Sequence, residues 1–313
     1  MIFEEYIESF AGLPIAEYVP GEPLARSNVA YRVFKFLDEF YGERKRKVDT
    51  RDFYEHLFQS EGIENVSAFV FGYWGLEGPY TASVIVEPLV RNAASMPGLR
   101  ALFLGDIIDE DCQAPWIEMD DISSIWKAFP QLETLWLRGS DGLSFGRFEH
   151  HNLRELVIQC CGLSRDNIQQ ILNANLPNLE HLELWLGISD FGGDSDVNDF
   201  TTLFSGALFP NLKYLGLCNA DDTDSLAQAI ADAPILDRIE TLDLSNGTLS
   251  DVGAEALLRS EKVKKLNKLD LHFHYLSDEK MQKFSTLPCE VDTNEQQDCE
   301  MVEELGMTPA LWR

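Results

Sequence analysis

Two histidines and two aspartates near the end of the chain could hold a metal ion or perform hydrolysis. His272 and His274 are two positions apart, so on a strand both would lie on one side, with Asp243 or Asp270 across from them. Zinc accepts imidazole and carboxylate ligands, but a zinc site needs more ligands than the pair that this spacing brings together. The other interpretation is that these residues face solvent, with His274 at the ladder position of the repeat, where Asn normally bonds to the backbone. Metal binding or hydrolysis by this cluster is therefore an alternative function.

Large aromatic side chains stand at positions where water-facing strand residues are usually small or polar. Such rings bury much area at little cost in side-chain freedom, and Trp, Tyr and Arg dominate the energetics of protein interfaces. We therefore predict a site for a peptide or protein partner. The alternative is that the rings cover one another, or pack under Tyr73 and Trp74 or under the N-terminal region. The predicted partner-binding residues are Phe103, Trp136, Arg138, His181, Trp185 and Tyr214.

Other motifs of catalysis or cofactor binding do not occur in the sequence. The acidic groups around Asp109 and Asp194 lack the pattern of a calcium-binding loop, and there is no phosphate-binding glycine loop, nucleophile elbow or H-E-x-x-H pair. The six cysteines are too scattered for a zinc cluster or a disulfide scaffold, which favours free thiols in a reducing compartment. We expect no catalytic residue, no metal site and no cofactor, and hence a protein that is not an enzyme.

A repeat along the chain positions these residues. The pattern L-x-x-L-x-L occurs in seven copies, and a weaker copy precedes them. Successive copies start 21 to 33 residues apart, close to the period of about 20–29 residues in leucine-rich repeats. Copies that stay in phase over this length indicate a leucine-rich-repeat protein. They start at Val66, Leu99, Leu132, Leu153, Leu179, Leu212, Ile239 and Leu266.

The repeat predicts an α/β fold, a leucine-rich-repeat solenoid of horseshoe shape. One copy cannot bury its apolar positions alone, so the copies stack into a parallel sheet on the concave side, with helical returns on the convex side. The third, fifth and seventh positions of each copy alternate away from the core, and the predicted partner-binding residues occupy these positions on the concave face. The predicted helical returns are 122–128, 168–172, 197–204, 226–230, 252–258 and 280–284.

Three regions are expected along the chain. Residues 1–60 lack the repeat but contain amphipathic stretches at 29–41 and 53–58, and they are predicted to cap the apolar end of the solenoid. Residues 61–291 are the solenoid of about eight repeats, with an edge strand at its end. Residues 292–313 are an acidic tail, in which Trp312 could dock back onto the fold.

Some stretches go beyond a generic repeat. The sequences FAGLP at 10–14, ALFLGD at 101–106, LEHLELWLG at 179–187 and LDLHFHYLS at 269–277 together resemble a family of uncharacterised bacterial cytoplasmic leucine-rich-repeat proteins of the ribonuclease-inhibitor-like subclass. The resemblance covers roughly residues 8–291, and it departs from the family where Phe273 interrupts a run of histidines. It implies the repeat fold and, because some relatives are encoded beside biosynthetic-type enzymes, a scaffold or substrate-recognition role.

The charge of the chain argues against two classes of partner. Its 25 Lys and Arg face 53 Asp and Glu, and the resulting net charge of −28 opposes binding to nucleic acid or to an anionic membrane. No signal-peptide pattern and no apolar run of bilayer-spanning length occur, which predicts a cytoplasmic location. We predict a non-enzymatic module or scaffold that recognises a protein or peptide, especially one with basic segments, through the concave face. A third possibility is a structural subunit that packs on an enzyme through its convex face or its cap.

Overall fold

The computed structural model describes residues 3–34, 50–75, 80–297 and 307–312. These residues have an α/β, leucine-rich-repeat-like fold. The strands of the described chain are β1 (Ser9–Phe10), β2 (Leu13–Glu17), β3 (Ala30–Val33), β4 (Ala68–Phe71), β5 (Ala101–Leu104), β6 (Thr134–Arg138), β7 (Glu155–Gln159), β8 (His181–Gly187), β9 (Tyr214–Ala220), β10 (Thr241–Asp243), β11 (Lys268–Asp270) and β12 (Glu290–Asp292).

The strands are neighbours in one sheet in the same order as in the chain. β1 and β2 form an antiparallel hairpin. The pairs from β2 to β6 and from β8 to β12 are parallel, as expected when each repeat contributes one strand. In all eight copies of the repeat the strand begins at the third position, so the predicted parallel sheet with one strand per copy is confirmed.

Helical segments connect the strands. Each predicted return contains helix. Ser164 and Ser250 cap the N-termini of two of these helices, and both hydroxyl oxygens accept a backbone N–H at 3.2 Å. The sequence did not predict the helix Ser83–Arg91, because Pro88 lies within it and proline usually interrupts a helix. The α-helices of the described residues are α1 (Thr50–Leu57), α2 (Ser83–Arg91), α3 (Ser123–Ala128), α4 (Arg165–Leu172), α5 (Thr201–Phe204), α6 (Thr223–Ile230), α7 (Asp251–Arg259) and α8 (Asp278–Phe284). None of them is long and apolar enough to cross a bilayer.

The leucines of the repeat form the core. Leu102, Leu135, Leu182 and Leu215 stand at the fourth position of their copies, and all four are fully buried. Burying one such side chain contributes about 1.5–3 kcal/mol to the stability of the fold. The copies therefore depend on their neighbours, since each leucine is covered by residues of adjacent repeats.

The chain divides into two compact units, Phe3–Glu155 and the part that starts at Leu156. The sheet begins before residue 61, where the sequence predicted the solenoid to start, because β2 and β3 already pair in parallel with the strands that follow. These two strands lack the leucine pattern, which is why the sequence assigned them to a cap. The predicted amphipathic stretch 29–41 begins as β3, and its residues from 35 onward lie outside the described part of the chain.

Candidate functional site

We use the term variable face for the side of the sheet that carries the third, fifth and seventh positions of each repeat. In the unit Phe3–Glu155, residues 3–10 of the chain cover this face; we call them the N-terminal segment. Phe103 is fully buried, with ring centroids 5.9 Å from Phe10 and 5.5 Å from Trp136. Phe10 also meets Trp136 edge to face at 5.4 Å. The three rings belong to one hydrophobic cluster under the segment.

The expectation that Phe103 is exposed is therefore wrong, and its neighbours explain why. Ala68, Val70 and Ala101 occupy the same face on β4 and β5 and are buried as well. When one face of a sheet is open to water, polar and apolar residues alternate along each strand. Apolar residues at the outward-facing positions were therefore the sequence signal that this face is covered. Trp136 remains half-buried, and its indole N–H donates to a carboxylate oxygen of the next strand, β7, at 3.0 Å.

Arg138 also lies under the N-terminal segment instead of on an open surface, which corrects its predicted exposure. Its guanidinium carbon is 3.8 Å from the centre of the Phe3 ring, and its Nη1 donates to the carbonyl oxygen of Ile107 at 2.9 Å. Burial lowers the pKa of Arg138 to about 10, although Asp106 and Asp109 act in the opposite direction. The guanidinium therefore stays charged at neutral pH and binds the ring by a cation–π contact.

Arg32 and Asp106 belong to the same buried group, and the sequence did not predict an ion pair between them. Arg32 Nε lies 3.0 Å from Asp106 Oδ2, with 9% of the Arg32 side chain and none of the Asp106 side chain exposed. Burial raises the pKa of Asp106, while the two arginines lower it. Arg32 stands outside the leucine copies and Asp106 beyond the seventh position of its copy, so the repeat offered no signal for this ion pair.

In the unit that starts at Leu156, two of the predicted residues stack on each other. The rings of His181 and Tyr214 have centroids 3.8 Å apart and planes that differ by 6°. Glu183 lies 3.4 Å from His181 Nε2 and accepts a hydrogen bond from the Trp185 indole N–H at 2.7 Å. Trp185 is buried, against expectation, whereas His181 and Tyr214 are partly exposed. The structure therefore brings three predicted residues together and leaves two of them accessible.

Three aspartates form a row across β10, β11 and β12 at the same register, and we call them the aspartate row. Asp243, Asp270 and Asp292 each accept a hydrogen bond from the backbone N–H two residues further on, at 2.8, 3.2 and 3.0 Å. Neighbouring strands lie about 4.8 Å apart, so the row concentrates negative charge on the variable face. The sequence singled out Asp243 and Asp270 but not Asp292, because β12 lacks a leucine copy.

Three side chains donate hydrogen bonds to this row. The Tyr214 hydroxyl donates to Asp243 at 2.5 Å, while Lys268 Nζ and His272 Nδ1 bind opposite oxygens of Asp270 at 2.8 and 2.7 Å. Burial acts to raise the pKa of Asp270, but the bonds from His272 and Lys268 outweigh it and hold that pKa at about 2. The bond to Asp270 raises the pKa of His272. Burial raises the pKa of Asp243.

Among the described residues, one group of side chains is close enough together to hold a metal ion, and it lies on the same strands. Ligand atoms of Asp270, His272 and Asp292 lie within 4.8 Å of one another. Both oxygens of Asp270 are already engaged, one by His272 and one by Lys268. A metal ion at this place would compete with the Lys268 ammonium group for Asp270, and in the present arrangement these side chains form an ion-pair network.

His274 does not join His272, which contradicts the expectation from their spacing. Phe273 has a φ of 57°, and this left-handed residue turns the chain and ends the alternation of sides. The His274 ring is fully buried, its Nδ1 accepts the backbone N–H of Leu276 at 3.1 Å, and its Nε2 lies 2.9 Å from the carbonyl oxygen of Thr293. His274 therefore fills a backbone-bonding position at the turn.

The end of the chain docks onto the unit that starts at Leu156. In residues 307–312, the backbone N–H of Leu311 donates to Asn219 Oδ1 at 3.1 Å. The backbone of Trp312 belongs to this docked segment, while its side chain lies outside the described part of the chain. Part of the predicted tail is thus an ordered element of this unit.

Comparison with known proteins places the chain among relatives. The solved structure of a protein from Bacteroides fragilis is 33% identical to this chain, with a TM-score of 0.77 over 83% of this chain and 73% of that one. An internalin from Listeria monocytogenes is 13% identical over 78% of this chain and 82% of that one, and its TM-score of 0.31 is too low to bear on fold or function. No protein-family model and no curated protein matches. At this identity and coverage, the chain belongs to the same family as the Bacteroides fragilis protein.

Proposed function

We propose that this protein is a non-enzymatic recognition module of the cytoplasm, which binds a basic segment of a protein or peptide partner. The binding surface is the variable face of the unit that starts at Leu156. The observation that carries this proposal is the aspartate row, with the stacked rings of His181 and Tyr214 beside it. The equivalent face of the other unit is covered by the N-terminal segment, so its residues are not offered to a partner in the same way.

The chemistry of this face suits cationic side chains. Asp270 already holds an ammonium group, that of Lys268, which illustrates the kind of ligand that these recessed carboxylates accept. Long Lys and Arg side chains reach recessed groups along their apolar stems. The stacked rings of His181 and Tyr214 offer a flat surface to a guanidinium, and the negative charge of the chain speeds the approach of a basic partner.

We also propose that the fold is of the ribonuclease-inhibitor-like subclass. Helical returns support this assignment, since α4, α6, α7 and α8 each follow a strand with seven to nine residues of regular helix. A scaffold role in which two proteins are held together is consistent with the same surface.

The test of the proposed function is affinity capture with two variants that gain the same new side chain. Thr241 lies between Tyr214 and Lys268 in the sheet register and is half-buried, so Thr241→Arg places a bulky cation in the middle of the variable face. Val252 is 62% exposed on α7, so Val252→Arg makes the same change of charge on a helix surface. Wild type and both variants serve as bait in a lysate of the source cells, and captured proteins are identified by mass spectrometry.

We expect wild type and Val252→Arg to capture the same partner, and Thr241→Arg to lose it. The captured protein should bind through a segment rich in Lys or Arg, which deletion of that segment from the partner checks. Capture that survives Thr241→Arg but fails with Val252→Arg would move the site to the helical side and contradict the proposal.

A second candidate function is divalent-metal binding, which the close approach of Asp270, His272 and Asp292 favours. Zinc titration by calorimetry separates the two candidates, with His272→Ala and Lys268→Ala as the variants. If metal binding is the function, His272→Ala abolishes it and Lys268→Ala strengthens it, because the competing ammonium group is gone. If the network is purely ionic, neither the wild type nor Lys268→Ala binds zinc with defined stoichiometry.

A further inference from the structure

The N-terminal segment lies on the variable face of the unit Phe3–Glu155 as a bound peptide would. Its contact residues alternate with exposed ones. Phe3 and Phe10 are buried, Tyr6 and Ile7 are partly buried, and the residues between them face water. Before β1 begins at residue 9, the segment adds no strand to the sheet and is held by the individual contacts described below.

Polar groups on the face recognise the backbone of the segment. Arg32 Nη2 donates to the carbonyl oxygen of Ile7, and the N–H of Ile7 points to Asp106 Oδ1 at 3.4 Å. The backbone N–H of Asp109 donates to the carbonyl oxygen of Phe3 at 2.9 Å. Contacts of this kind fix the position of an extended chain without depending on its side chains.

Aromatic side chains supply the specific contacts. The Phe3 ring covers the guanidinium of Arg138 at 3.8 Å. Tyr6 meets Phe34 edge to face at 4.9 Å, and its ring lies 5.3 Å from the Arg32 guanidinium. Two aromatic residues three positions apart thus meet two arginines, the pairing that is enriched at the centres of protein interfaces.

The charged groups beneath the segment distinguish this contact from an ordinary core. Arg32, Asp106 and Arg138 are each at least nine-tenths buried, and the segment covers them. Burying charged groups in a permanent core gives little stability, because the loss of hydration offsets the attraction between them. Arginine and aromatic residues are also the types that are enriched at surfaces that bind a separate chain.

We propose that the variable face of the unit Phe3–Glu155 is a peptide-binding site, which the N-terminal segment occupies in cis. Its ligand is an extended segment of a partner protein that carries two aromatic residues three positions apart, the second followed by an apolar residue, as Phe3, Tyr6 and Ile7 are in this chain. This site is independent of the proposed function, since it uses the other unit. A tethered segment competes at an effective concentration of about 1 mM. A free peptide of the same intrinsic affinity, with a Kd of about 10 µM for the uncovered face, therefore binds the wild type about a hundredfold more weakly than it binds the uncovered face.

The test uses the full chain with its N-terminal segment loosened. Phe3→Ala with Tyr6→Ala removes both aromatic anchors and leaves Phe10 and the β1–β2 hairpin in place. The probe is a labelled peptide of residues 3–8, Phe-Glu-Glu-Tyr-Ile-Glu, and its affinity is measured by fluorescence anisotropy. A control peptide carries Ala at the two aromatic positions.

We expect the probe to bind the double variant at least about tenfold more tightly than the wild type, and to lose this binding when Arg138→Gln is added. The control peptide should bind neither protein. If the double variant unfolds at a lower temperature than the wild type, the single variant Phe3→Ala replaces it, because it keeps more of the contacts between the N-terminal segment and the face. Its affinity for the probe is then compared with that of the wild type. A probe that binds neither variant while circular dichroism shows both folded overturns the proposal, as does equal binding of the control peptide.

Discussion

At the scale of single residues, two buried histidines have the same structural role, one in each unit. His150 Nδ1 accepts the backbone N–H of Leu153 at 3.0 Å, and its Nε2 lies 3.0 Å from the carbonyl oxygen of Phe129. His274 makes the same pair of contacts in the other unit. A backbone N–H can only donate, so Nδ1 carries no proton and each ring is neutral. Burial lowers the pKa of both rings.

Acid is therefore expected to weaken the fold through these histidines. The folded-state pKa lies below the value of about 6.5 of the unfolded chain, so the unfolded state takes up protons first and the free energy of unfolding falls as pH drops below about 6.5. Asn in place of His274 can accept the same backbone bond without titrating. Between about pH 7.5 and pH 5.5, the urea midpoint of His274→Asn should fall less than that of the wild type. An equal fall in both proteins would contradict this role.

His272 is expected to have the opposite effect on the pH dependence of stability, since it stabilises the fold in acid. Its pKa is raised in the folded state by the hydrogen bond to Asp270. The stabilisation is therefore fully present below the unfolded-state pKa of about 6.5 and is lost as pH rises through the folded-state pKa. His272→Gln should lower the urea midpoint at pH of about 5.5 and have less effect at about pH 8.5. An effect that is larger at the higher pH would refute the ion pair.

Tyr214 is expected to stabilise the buried carboxylate of Asp243. Its hydroxyl donates to Asp243 at 2.5 Å, and loss of one partner of a buried group costs about 1–3 kcal/mol. Tyr214→Phe should lower the free energy of unfolding by this amount, measured in urea at neutral pH. Tyr18→Phe is the control, because its hydroxyl makes only a 3.4 Å contact with Ser60. A loss no larger than that of the control would mean that Asp243 is protonated and needs no donor.

At the scale of elements, the N-terminal hairpin is predicted to act as part of the core. Phe10, at the end of β1, is 2% exposed and contacts Phe103 and Trp136. Phe10→Ala should lower the free energy of unfolding by about 3–5 kcal/mol, because it leaves a cavity between two rings. Val19→Ala, at a residue that is 47% exposed, should change it by less than about 0.5 kcal/mol. Chemical denaturation of the two variants checks this, and similar losses would show that the hairpin is not packed.

The elements also show where sequence reasoning succeeds and where it fails. The leucine positions predicted every strand from β4 to β11, because a buried apolar period reports directly on stacking. The same pattern could not reveal what covers the other face, so Phe103 and Arg138 were expected to be exposed. Coverage of that face depends on contacts between residues that are distant in the chain, such as Phe10 with Phe103. The turn at Phe273 likewise follows from its left-handed backbone, which a two-residue period does not report.

At the scale of the whole molecule, net charge and local charge make separate contributions to binding. The net charge of −28 attracts any basic partner, and this long-range attraction is screened beyond about 8 Å at physiological salt. The aspartate row acts at short range on whichever side chain reaches it. Variants with the same net charge, but with the changed residues in different places, can therefore separate the long-range attraction of the net charge from the short-range contacts made by the variable face.

Recognition of basic segments by the variable face is tested by the affinity of one labelled peptide of alternating Arg and Ser for three proteins at physiological salt. The first protein is the wild type. The second, the face variant, carries Glu290→Gln and Asp292→Asn on the variable face. The third, the control variant, carries Glu261→Gln and Glu279→Gln, at residues whose side chains are 79% and 74% exposed. If the variable face recognises basic segments, the peptide should bind about tenfold more weakly to the face variant, and its affinity for the control variant should change by less than about twofold. Equal losses in both variants would contradict recognition by this face.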